Sequence, residues 1–235
     1  MPNDYFNFKE FTIHQDKSAF KVGTDGVLLG AYATLDGVKN ILEIGSGTGL
    51  ISIMLAQRCK ALITAIEPDY DSFVQSCENV SSCNWKDRIK VLNSDLQSLT
   101  AVPDRFDLII TNPPYFSDSL KSPDFRKSAS RHNNSLTSVD ILEGVSKLME
   151  DEGQLQLILP YVEGNVFIAE ARQYGFFCNS IVKIKPLPSR EVSRLILTFS
   201  KLQKKHVEKY LTIEHGRHLF TEDYINLTKD FYLKF

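Results

Sequence analysis

From residue 40 onward, apolar runs alternate with segments of helical spacing, and this alternation limits the fold of the chain more than any other feature. Five apolar runs are separated by helical patterns, and two further runs follow with no helix between them. Such alternation predicts a parallel, doubly wound sheet with helices on both faces. Two neighbouring β segments predict an antiparallel pair. We therefore expect an α/β fold whose seven-stranded, mostly parallel sheet has a terminal antiparallel β-hairpin.

The same pattern gives the bounds of the predicted elements and units. Residues 1–39 are expected to form an N-terminal cap segment, residues 40–200 the main domain, and residues 201–235 a small appendage of the same domain. Residues 117–135 are polar and show no clear periodicity. The predicted strands are 40–44, 61–66, 89–92, 106–110, 154–159, 181–184 and 194–199. The predicted helices are 50–58, 69–80, 139–149, 162–174 and 222–231.

Composition favours an ordinary globular protein of the cytoplasm. The chain has 235 residues, of which 43% are hydrophobic and 24% charged, close to globular averages. No apolar run reaches the roughly 20 residues of a membrane span, and the first residues do not resemble a signal peptide. The cysteines lack metal-ligand spacing. We expect a cytoplasmic monomer without a metal or a membrane partner, with free thiols at Cys59, Cys77, Cys83 and Cys178.

Charge is distributed unevenly along the chain. The net charge is −2, but residues 121–132 carry +3 and residues 183–209 carry +6, which leaves −11 on the other 196 residues. Two basic segments on an otherwise acidic chain suit a localised contact with phosphates. Ordinary solvated surface explains them equally well. The second segment contains four cations suited to phosphates: Lys183, Lys185, Arg190 and Arg194.

A glycine-rich turn follows the first predicted strand, in the sequence ILEIGSGTG at residues 41–49. Glycine allows backbone angles closed to other residues and lets a ligand approach the main chain without meeting a Cβ. The spacing is GxGxG, which differs from the GxGxxG of dinucleotide sites. Glu43, just before the turn, can orient a cationic ligand group. The glycines are Gly45, Gly47 and Gly49, with Ser46 between the first two.

Two acidic residues follow the next two predicted strands. Glu67 ends the second strand, where a carboxylate can accept both hydroxyls of a ribose. Asp95 follows the third strand, where a carboxylate can accept from an adenine amine. A structural glycine turn with solvated acids is the plainer alternative. Acids and glycines on successive strand ends favour a nucleoside-binding site.

The fourth strand ends in Asn112-Pro113-Pro114-Tyr115. The prolines remove two backbone donors but keep their carbonyls, so the turn offers acceptors without competing N–H groups. If the Asn112 side-chain oxygen and the Pro113 carbonyl each accept an N–H from a planar amine, its lone pair is directed toward an electrophile. Tyr115 can stack on the planar group. A rigid turn that closes a strand is the alternative.

These motifs together resemble a known family. The GSGTG and NPPY pair is similar to class I amino-methyltransferases, which use S-adenosylmethionine and have a Rossmann-like fold. More narrowly, FKVGTDGVLLG at residues 20–30, NPPYF at 112–116 and KDFYLKF at 229–235 resemble the bacterial tRNA1(Val) (adenine-37 N6)-methyltransferases. The resemblance covers nearly the whole chain and implies methylation of an adenine N6 amine in tRNA, giving N6-methyladenosine.

The resemblance also implies roles for particular residues. Residues 21–25 would fold over the methionyl end of S-adenosylmethionine, although a simple helix start with Thr24 or Asp25 as N-cap is an equal alternative. The polar loop after Tyr115 is the candidate RNA contact. The implied catalytic residues are Asn112, Pro113, Pro114 and Tyr115. The implied cofactor contacts are Lys21, Thr24, Asp25, Glu43, Gly45, Ser46, Gly47, Gly49, Glu67, Asp95 and Asn112. The implied substrate contacts are Tyr115, Phe116, Arg126, Lys127 and Arg131.

Other functions stay open from sequence. Glutamine N5-methylation of a protein uses the same NPPY chemistry, but such enzymes usually carry a helical N-terminal domain, and only about 40 residues precede the glycine turn. DNA adenine methyltransferases share the motif but usually have a separate target-recognition region. A cofactor-binding scaffold without catalysis would not require the amine-positioning turn.

Overall fold

The computed structural model describes residues 3–99, 105–114 and 136–234. Strands and helices alternate along these residues as predicted. The strands are β1 (Tyr5–Asn7), β2 (Thr12–His14), β3 (Asn40–Ile44), β4 (Leu62–Ile66), β5 (Ile89–Leu92), β6 (Phe106–Thr111), β7 (Met149–Pro160), β8 (Phe177–Lys185), β9 (Arg194–Ser200), β10 (Val207–Thr212), β11 (Glu214–Gly216) and β12 (Leu219–Phe220). The helices are α1 (Thr24–Tyr32), α2 (Leu50–Arg58), α3 (Tyr70–Ser82), α4 (Leu96–Leu99), α5 (Ser138–Leu148), α6 (Tyr161–Gln173) and α7 (Glu222–Thr228).

The main sheet confirms the α/β prediction and adds one strand. Its order is β10-β8-β9-β7-β6-β3-β4-β5. All neighbours are parallel except β9, which pairs antiparallel with both β7 and β8. The predicted antiparallel pair is therefore present. An eighth strand, β10, pairs parallel with β8 outside this hairpin, in the segment predicted as an appendage. Its outer position explains why sequence missed it, since only Leu211 in this strand is buried.

The central strands are buried on both faces because helices cover both sides of the sheet. Continuous apolar runs such as Leu108–Ile110 supply this double burial, and these side chains are fully enclosed. One core lies between the sheet and α1, α2 and α7, and the other lies under α4, α5 and α6. Turns and capping residues delimit the helices: Asp69 accepts the Ser72 N–H at the start of α3.

The N-cap of helix α1 lies one residue before Thr24, the nearer of the two predicted caps. Its N-cap is Gly23, with no side-chain cap hydrogen bond, so Thr24 and Asp25 lie inside the first turn. The alternative that either residue is the N-cap is therefore wrong. The helix packs closely on α2 at Gly30, where an added Cβ would lie only 2.9 Å from the Met54 sulfur.

The β1–β2 hairpin joins the region before residue 20 to the region after residue 228. The Lys9 backbone N–H donates to the Phe231 carbonyl at 2.8 Å. The Phe8 ring stacks on Tyr232 with ring centroids 5.9 Å apart. These contacts explain why the aromatic KDFYLKF segment is part of the fold: it forms one side of a small aromatic core with the hairpin.

Within the described ranges, none of the helices has both the length and the apolar character needed to cross a membrane. The same residues contain no cluster of three or more His, Cys, Asp or Glu side chains arranged to hold a metal ion. The four cysteines are free thiols.

Candidate active site

Three adjacent strands of the main sheet bring the sequence motifs to one edge. Ile44 of β3 lies in register between Ile66 of β4 and Thr111 of β6. The next residue of each strand is therefore a motif residue, and these residues are Gly45, Glu67 and Asn112. In open α/β sheets, ligands bind beyond the carboxyl ends of parallel strands. The register places the glycine turn, the second acid and the NPP turn at that edge.

The glycine turn uses backbone angles that favour glycine. Its three glycines, Gly45, Gly47 and Gly49, have φ values of +74°, +54° and +79°. An added Cβ at Gly45 would meet nothing within 4 Å, so the space beside the main chain is open there. At Gly49 a Cβ would lie 2.7 Å from the Ser76 hydroxyl oxygen. The turn is packed against α3 on one side and open on the other.

Glu43 is buried beneath the glycine turn. One carboxylate oxygen, Oε2, accepts the Ser52 backbone N–H at 2.9 Å and also the Ser52 hydroxyl. The other oxygen, Oε1, is enclosed and has no hydrogen-bond partner among the described residues. Burial raises the pKa of Glu43 to about 8, although the bonds from Ser52 oppose this shift. An enclosed acceptor without a donor is unusual in a folded protein and indicates a ligand-facing or strained position.

Glu67 holds the glycine turn and keeps acceptor capacity. Its Oε2 accepts the Gly47 N–H at 2.8 Å, and its Oε1 accepts the Asp69 N–H at 3.0 Å. Burial raises the pKa of Glu67, and these two backbone bonds lower it. Each carboxylate oxygen has two lone pairs. One lone pair on each oxygen of Glu67 therefore stays available to accept from a hydroxyl group of a ligand.

The segment after β5 completes this edge of the sheet. The Asn93 side-chain amide donates to the Glu67 carbonyl at 2.8 Å, a contact that sequence did not indicate. Asp95 accepts the Ser98 N–H at 2.7 Å, and hydrogen bonds from Ser98 lower its pKa. Asp95 thus caps α4. Leu96, the next residue, is buried against α5, since a Cβ on Gly144 would contact it at 2.6 Å.

Asn112, Pro113 and Pro114 follow β6 directly. Thr111 fixes the start of this turn, because its hydroxyl donates to the Ile44 carbonyl at 2.8 Å. The Asn112 side chain is half-buried and makes no hydrogen bond with other described residues. Pro113 is buried and Pro114 is exposed. The turn therefore lies next to the glycine turn, and its Asn112 side chain has no hydrogen-bond partner among the described residues.

The segment from residue 15 to α1 lies across the glycine turn. Ser18 is near it, since an added Cβ at Gly47 would be 4.0 Å from the Ser18 hydroxyl oxygen. Lys21 and Thr24 are exposed. Asp25 forms an ion pair with Arg194 at the start of β9, with Oδ2 and Nε 2.9 Å apart. This pair fixes the start of α1 above the sheet edge.

The predicted RNA contacts divide into three groups. Tyr115, Phe116, Arg126, Lys127 and Arg131 lie outside the described residues. Two of the four cations expected at phosphates already have carboxylate partners, because Lys183 pairs with Glu208 at 2.6 Å and Arg194 pairs with Asp25. Lys185 and Arg190 form no ion pair with any described residue. Of the four cations, Lys185 and Arg190 are therefore the two whose charge is not already paired with a carboxylate of the described residues.

Comparison with known proteins defines the class and then the family. Residues 23–159 match the family model described as "Methyltransferase small domain". That match covers more than half of the chain, and the chain is therefore a methyltransferase. Over 233 residues it is 44% identical to the tRNA1(Val) (adenine(37)-N6)-methyltransferase of Phocaeicola vulgatus, covering 99% of each chain. It belongs to the family of tRNA1(Val) (adenine(37)-N6)-methyltransferases.

A second relative supports this family, and two solved structures support the fold. The enzyme of the same name from Trichodesmium erythraeum is 41% identical over the full length of both chains. A solved structure described as a predicted O-methyltransferase from Agrobacterium tumefaciens has a TM-score of 0.67 at 22% identity, covering 88% of this chain and 96% of the other. A ribosomal protein L11 methylase from Lactobacillus delbrueckii subsp. bulgaricus has a TM-score of 0.58 at 15% identity, covering 83% and 84%. The two structures support the fold alone.

Proposed function

We propose that this chain transfers a methyl group from S-adenosylmethionine to the exocyclic N6 amine of an adenine in tRNA, at position 37 of tRNA1(Val). One observation carries the proposal: the glycine turn, Glu67 and Asn112 directly follow residues that are in register on three adjacent parallel strands. A cofactor turn and an amine-accepting turn are then neighbours, as direct transfer between two ligands requires. The relatives' names supply the tRNA and the position.

The residues at this edge fit S-adenosylmethionine. The open space beside Gly45 allows a ligand to lie against the main chain. Glu67 keeps one lone pair on each oxygen for the two ribose hydroxyls. Glu43 has a buried oxygen without a partner among the described residues, and a ligand cation near the turn would favour ionisation of this carboxyl, whose pKa in the ligand-free chain is about 8. When bound, S-adenosylmethionine supplies a methyl group activated by a positively charged sulfur.

Asn112 and Pro113 would orient the amine. In adenine the N6 lone pair is delocalised into the ring, so the amine is a weak nucleophile. The Asn112 amide oxygen and the Pro113 carbonyl each accept one N–H, which fixes the amine and directs the lone pair toward the cofactor side of the site. The chain needs no nucleophilic side chain of its own, and the proton leaves to solvent late in the transfer or after it. Positioning of this kind contributes roughly 7–11 kcal/mol in well-oriented systems.

The target adenine has to leave its stack to reach this turn. Bases of a single-stranded loop are already partly unstacked, so extraction costs less than from a duplex. The proposed RNA contacts are the basic residues of segment 121–132, together with Lys185 and Arg190 on the outer part of the sheet edge. We further propose that the chain works as a monomer in the cytoplasm, where tRNA is modified; light scattering after size-exclusion chromatography tests the monomer.

The decisive experiment measures methyl transfer from labelled S-adenosylmethionine into separate pools of undermodified tRNA, rRNA, DNA and protein. Nucleoside digestion then identifies the product. Label in N6-methyladenosine from tRNA supports the proposal, and a tRNA1(Val) transcript with adenine 37 replaced by guanine should lose the signal. Label in protein would favour glutamine methylation, label in DNA a DNA adenine methyltransferase. A chain that binds the cofactor and labels no pool would favour a scaffold.

A further inference from the structure

Helix α3 carries a polar face that is buried. Its residues at spacing i, i+3, i+4 and i+7 are Ser72, Gln75, Ser76 and Asn79, each no more than 2% exposed. A helix normally turns an apolar stripe toward the protein. Burying polar groups instead costs free energy unless each finds a hydrogen-bond partner. The partners of this face therefore indicate why these residues are polar.

One set of partners lies in the segment that precedes α1. The Asn79 side chain accepts the His14 N–H at 2.9 Å and donates to the His14 carbonyl at 2.8 Å. Gln75 accepts the Lys17 N–H at 2.9 Å. The Ser72 and Ser18 hydroxyl oxygens are 3.3 Å apart. We call residues 14–20 the strap, because α3 holds them at three successive points.

The other partners lie in the glycine turn. The Asn79 amide that donates to His14 also donates to the Thr48 carbonyl at 2.9 Å. The Ser46 hydroxyl donates to the Ser76 hydroxyl at 3.4 Å. The same helix face therefore contacts the strap and the turn, and Asn79 is the residue that bonds to both.

Asn79 pairs with His14 as a neighbouring strand would. A single amide satisfies both the N–H and the C=O of one residue at the end of β2, and its second N–H fixes the turn. An apolar residue of similar size would leave the two His14 backbone groups and the Thr48 carbonyl without this partner, which is costly in a buried position. The contact sets the distance between two segments that are 34 positions apart in the chain.

We propose that Asn79 is a positioning residue for the cofactor: it holds the strap against the glycine turn so that the two together form the pocket for the methionyl end. The inference rests on the proposed function, because it requires that the glycine turn binds S-adenosylmethionine. Asn79 does not touch the acceptor and acts through the strap and Thr48. Its loss should weaken binding of the amino-acid end of the ligand and leave the adenosine end nearly unaffected.

The test compares two ligands by calorimetry on the full chain. S-adenosylhomocysteine has the amino-acid end, and 5′-methylthioadenosine lacks it. Asn79→Ala should raise the Kd of S-adenosylhomocysteine about tenfold or more, and change the Kd of methylthioadenosine less than threefold. In turnover, KM for S-adenosylmethionine should rise by a similar factor while kcat stays within about threefold. Asn84→Ala is the control, since Asn84 is exposed just after the same helix and should leave both affinities unchanged.

Two outcomes would overturn the proposal. One is an S-adenosylhomocysteine affinity within twofold of the parent chain. The other is an equal loss for both ligands, which indicates general damage to the fold. If Asn79→Ala does not fold, Gln75→Ala removes the Lys17 contact to the strap and a 3.3 Å bond to Glu78 on the same helix, and it should give a smaller loss that is again confined to S-adenosylhomocysteine; no loss there would also refute the inference.

The same experiment separates this inference from the proposed function. Ligand binding needs no acceptor, so a parent chain that binds S-adenosylhomocysteine and methylates no tRNA refutes the proposed acceptor and leaves the Asn79 test intact. A parent chain that methylates tRNA while Asn79→Ala binds normally refutes only the role of Asn79.

Discussion

The two halves of the main sheet, β3 to β5 on one hand and β8 to β10 on the other, differ in where their polar side chains lie and what they bond to. In the half with β3, β4 and β5, the polar groups at the strand ends are buried and bound to the backbone: Glu67 to Gly47, and Glu43 to Ser52. In the half with β8, β9 and β10, the cations stand at the surface and only some have partners. In the proposed function, the first half would hold one small ligand in one orientation, and the second would leave charge available for a large and adaptable partner.

The two halves also differ in how deeply a carboxyl group is buried. The half with β3, β4 and β5 contains the fully buried Glu43 carboxyl, whose Oε1 has no partner among the described residues, and this reduces stability without a ligand. In the other half, Gly175 before β8 and His218 in the β11–β12 hairpin also have positive φ, and the enclosed Oε2 of Glu170 also has no partner among the described residues, but Glu170 is partly exposed as a whole, whereas Glu43 is only 1% exposed. The predictions below test this contrast, from the largest expected effect to the smallest.

The largest effect should come from Asn112→Ala, at the turn between the two halves. Loss of the amide oxygen leaves the amine with one acceptor, so kcat should fall about 100-fold or more, on the order of 3 kcal/mol in the barrier. The Kd of S-adenosylmethionine should stay within about twofold. Single-turnover methylation and calorimetry measure the two quantities. A cofactor affinity that falls together with kcat would show that Asn112 belongs to the cofactor site instead.

Glu67→Ala should have the opposite signature. The variant loses the ribose acceptors and the bond that holds the Gly47 N–H, so the Kd of S-adenosylmethionine should rise about 10- to 100-fold. At saturating cofactor, kcat should recover to within a few-fold of the parent. Glu67→Gln keeps one acceptor oxygen, so its Kd for S-adenosylmethionine should lie between those of the parent chain and Glu67→Ala. Equal damage to kcat at every cofactor concentration would contradict the assignment.

Glu43 should make the ligand-free chain less stable as pH rises. Burial raises its pKa from 4.5 to about 8, so the folded state keeps a proton that the unfolded state releases. Its contribution to stability is full below pH 4.5 and is lost as pH rises through 8. Between pH 5.5 and 8, the parent should lose about 3 kcal/mol more than Glu43→Gln. Urea unfolding at both pH values measures this, and parallel losses in the two chains would argue against it.

The smallest effect should distinguish two lysines on one strand. Lys185 has no ion-pair partner among the described residues, whereas Lys183 pairs with Glu208. Lys185→Ala should weaken tRNA binding about threefold and lower the slope of log affinity against log salt by about 1. Lys183→Ala should change both quantities less. Equal effects would mean that RNA displaces Glu208, and no effect from either would place the RNA elsewhere.

Sequence predicted correctly those strands and helices whose bounds are marked by residues within or next to the element itself. The strand at residues 40–44 and the helix at 50–58 have the predicted bounds, because a continuous apolar run and a glycine turn mark them. Sequence also predicted the glycine turn, Glu67 and Asn112 at one edge, because parallel strands bring their ends together. These positions follow from topology and need no knowledge of side-chain contacts.

The parts that sequence missed depend on distant partners. The polar face of α3 is indistinguishable from a solvated face until the strap is seen against it, and Asn79 has no motif of its own. Strand β10 has four exposed residues in a row and one buried residue, Leu211, so its sequence shows no alternation that would indicate pairing. Charge alone left Lys183 and Lys185 equivalent, and only the position of Glu208 separates them.

The hairpin contact with residue 231 has a consequence for synthesis. Lys9 donates through its side chain to the carbonyl of Lys229, a residue 220 positions later in the chain. On the ribosome, the β1–β2 hairpin emerges before the rest of the described residues, yet it can complete its contacts with Lys229 and Phe231 only after those residues have emerged. Contacts of such long separation form late, after most of the sheet. The nascent chain should therefore form the glycine turn early and complete the packing of the hairpin against residues 229–232 last.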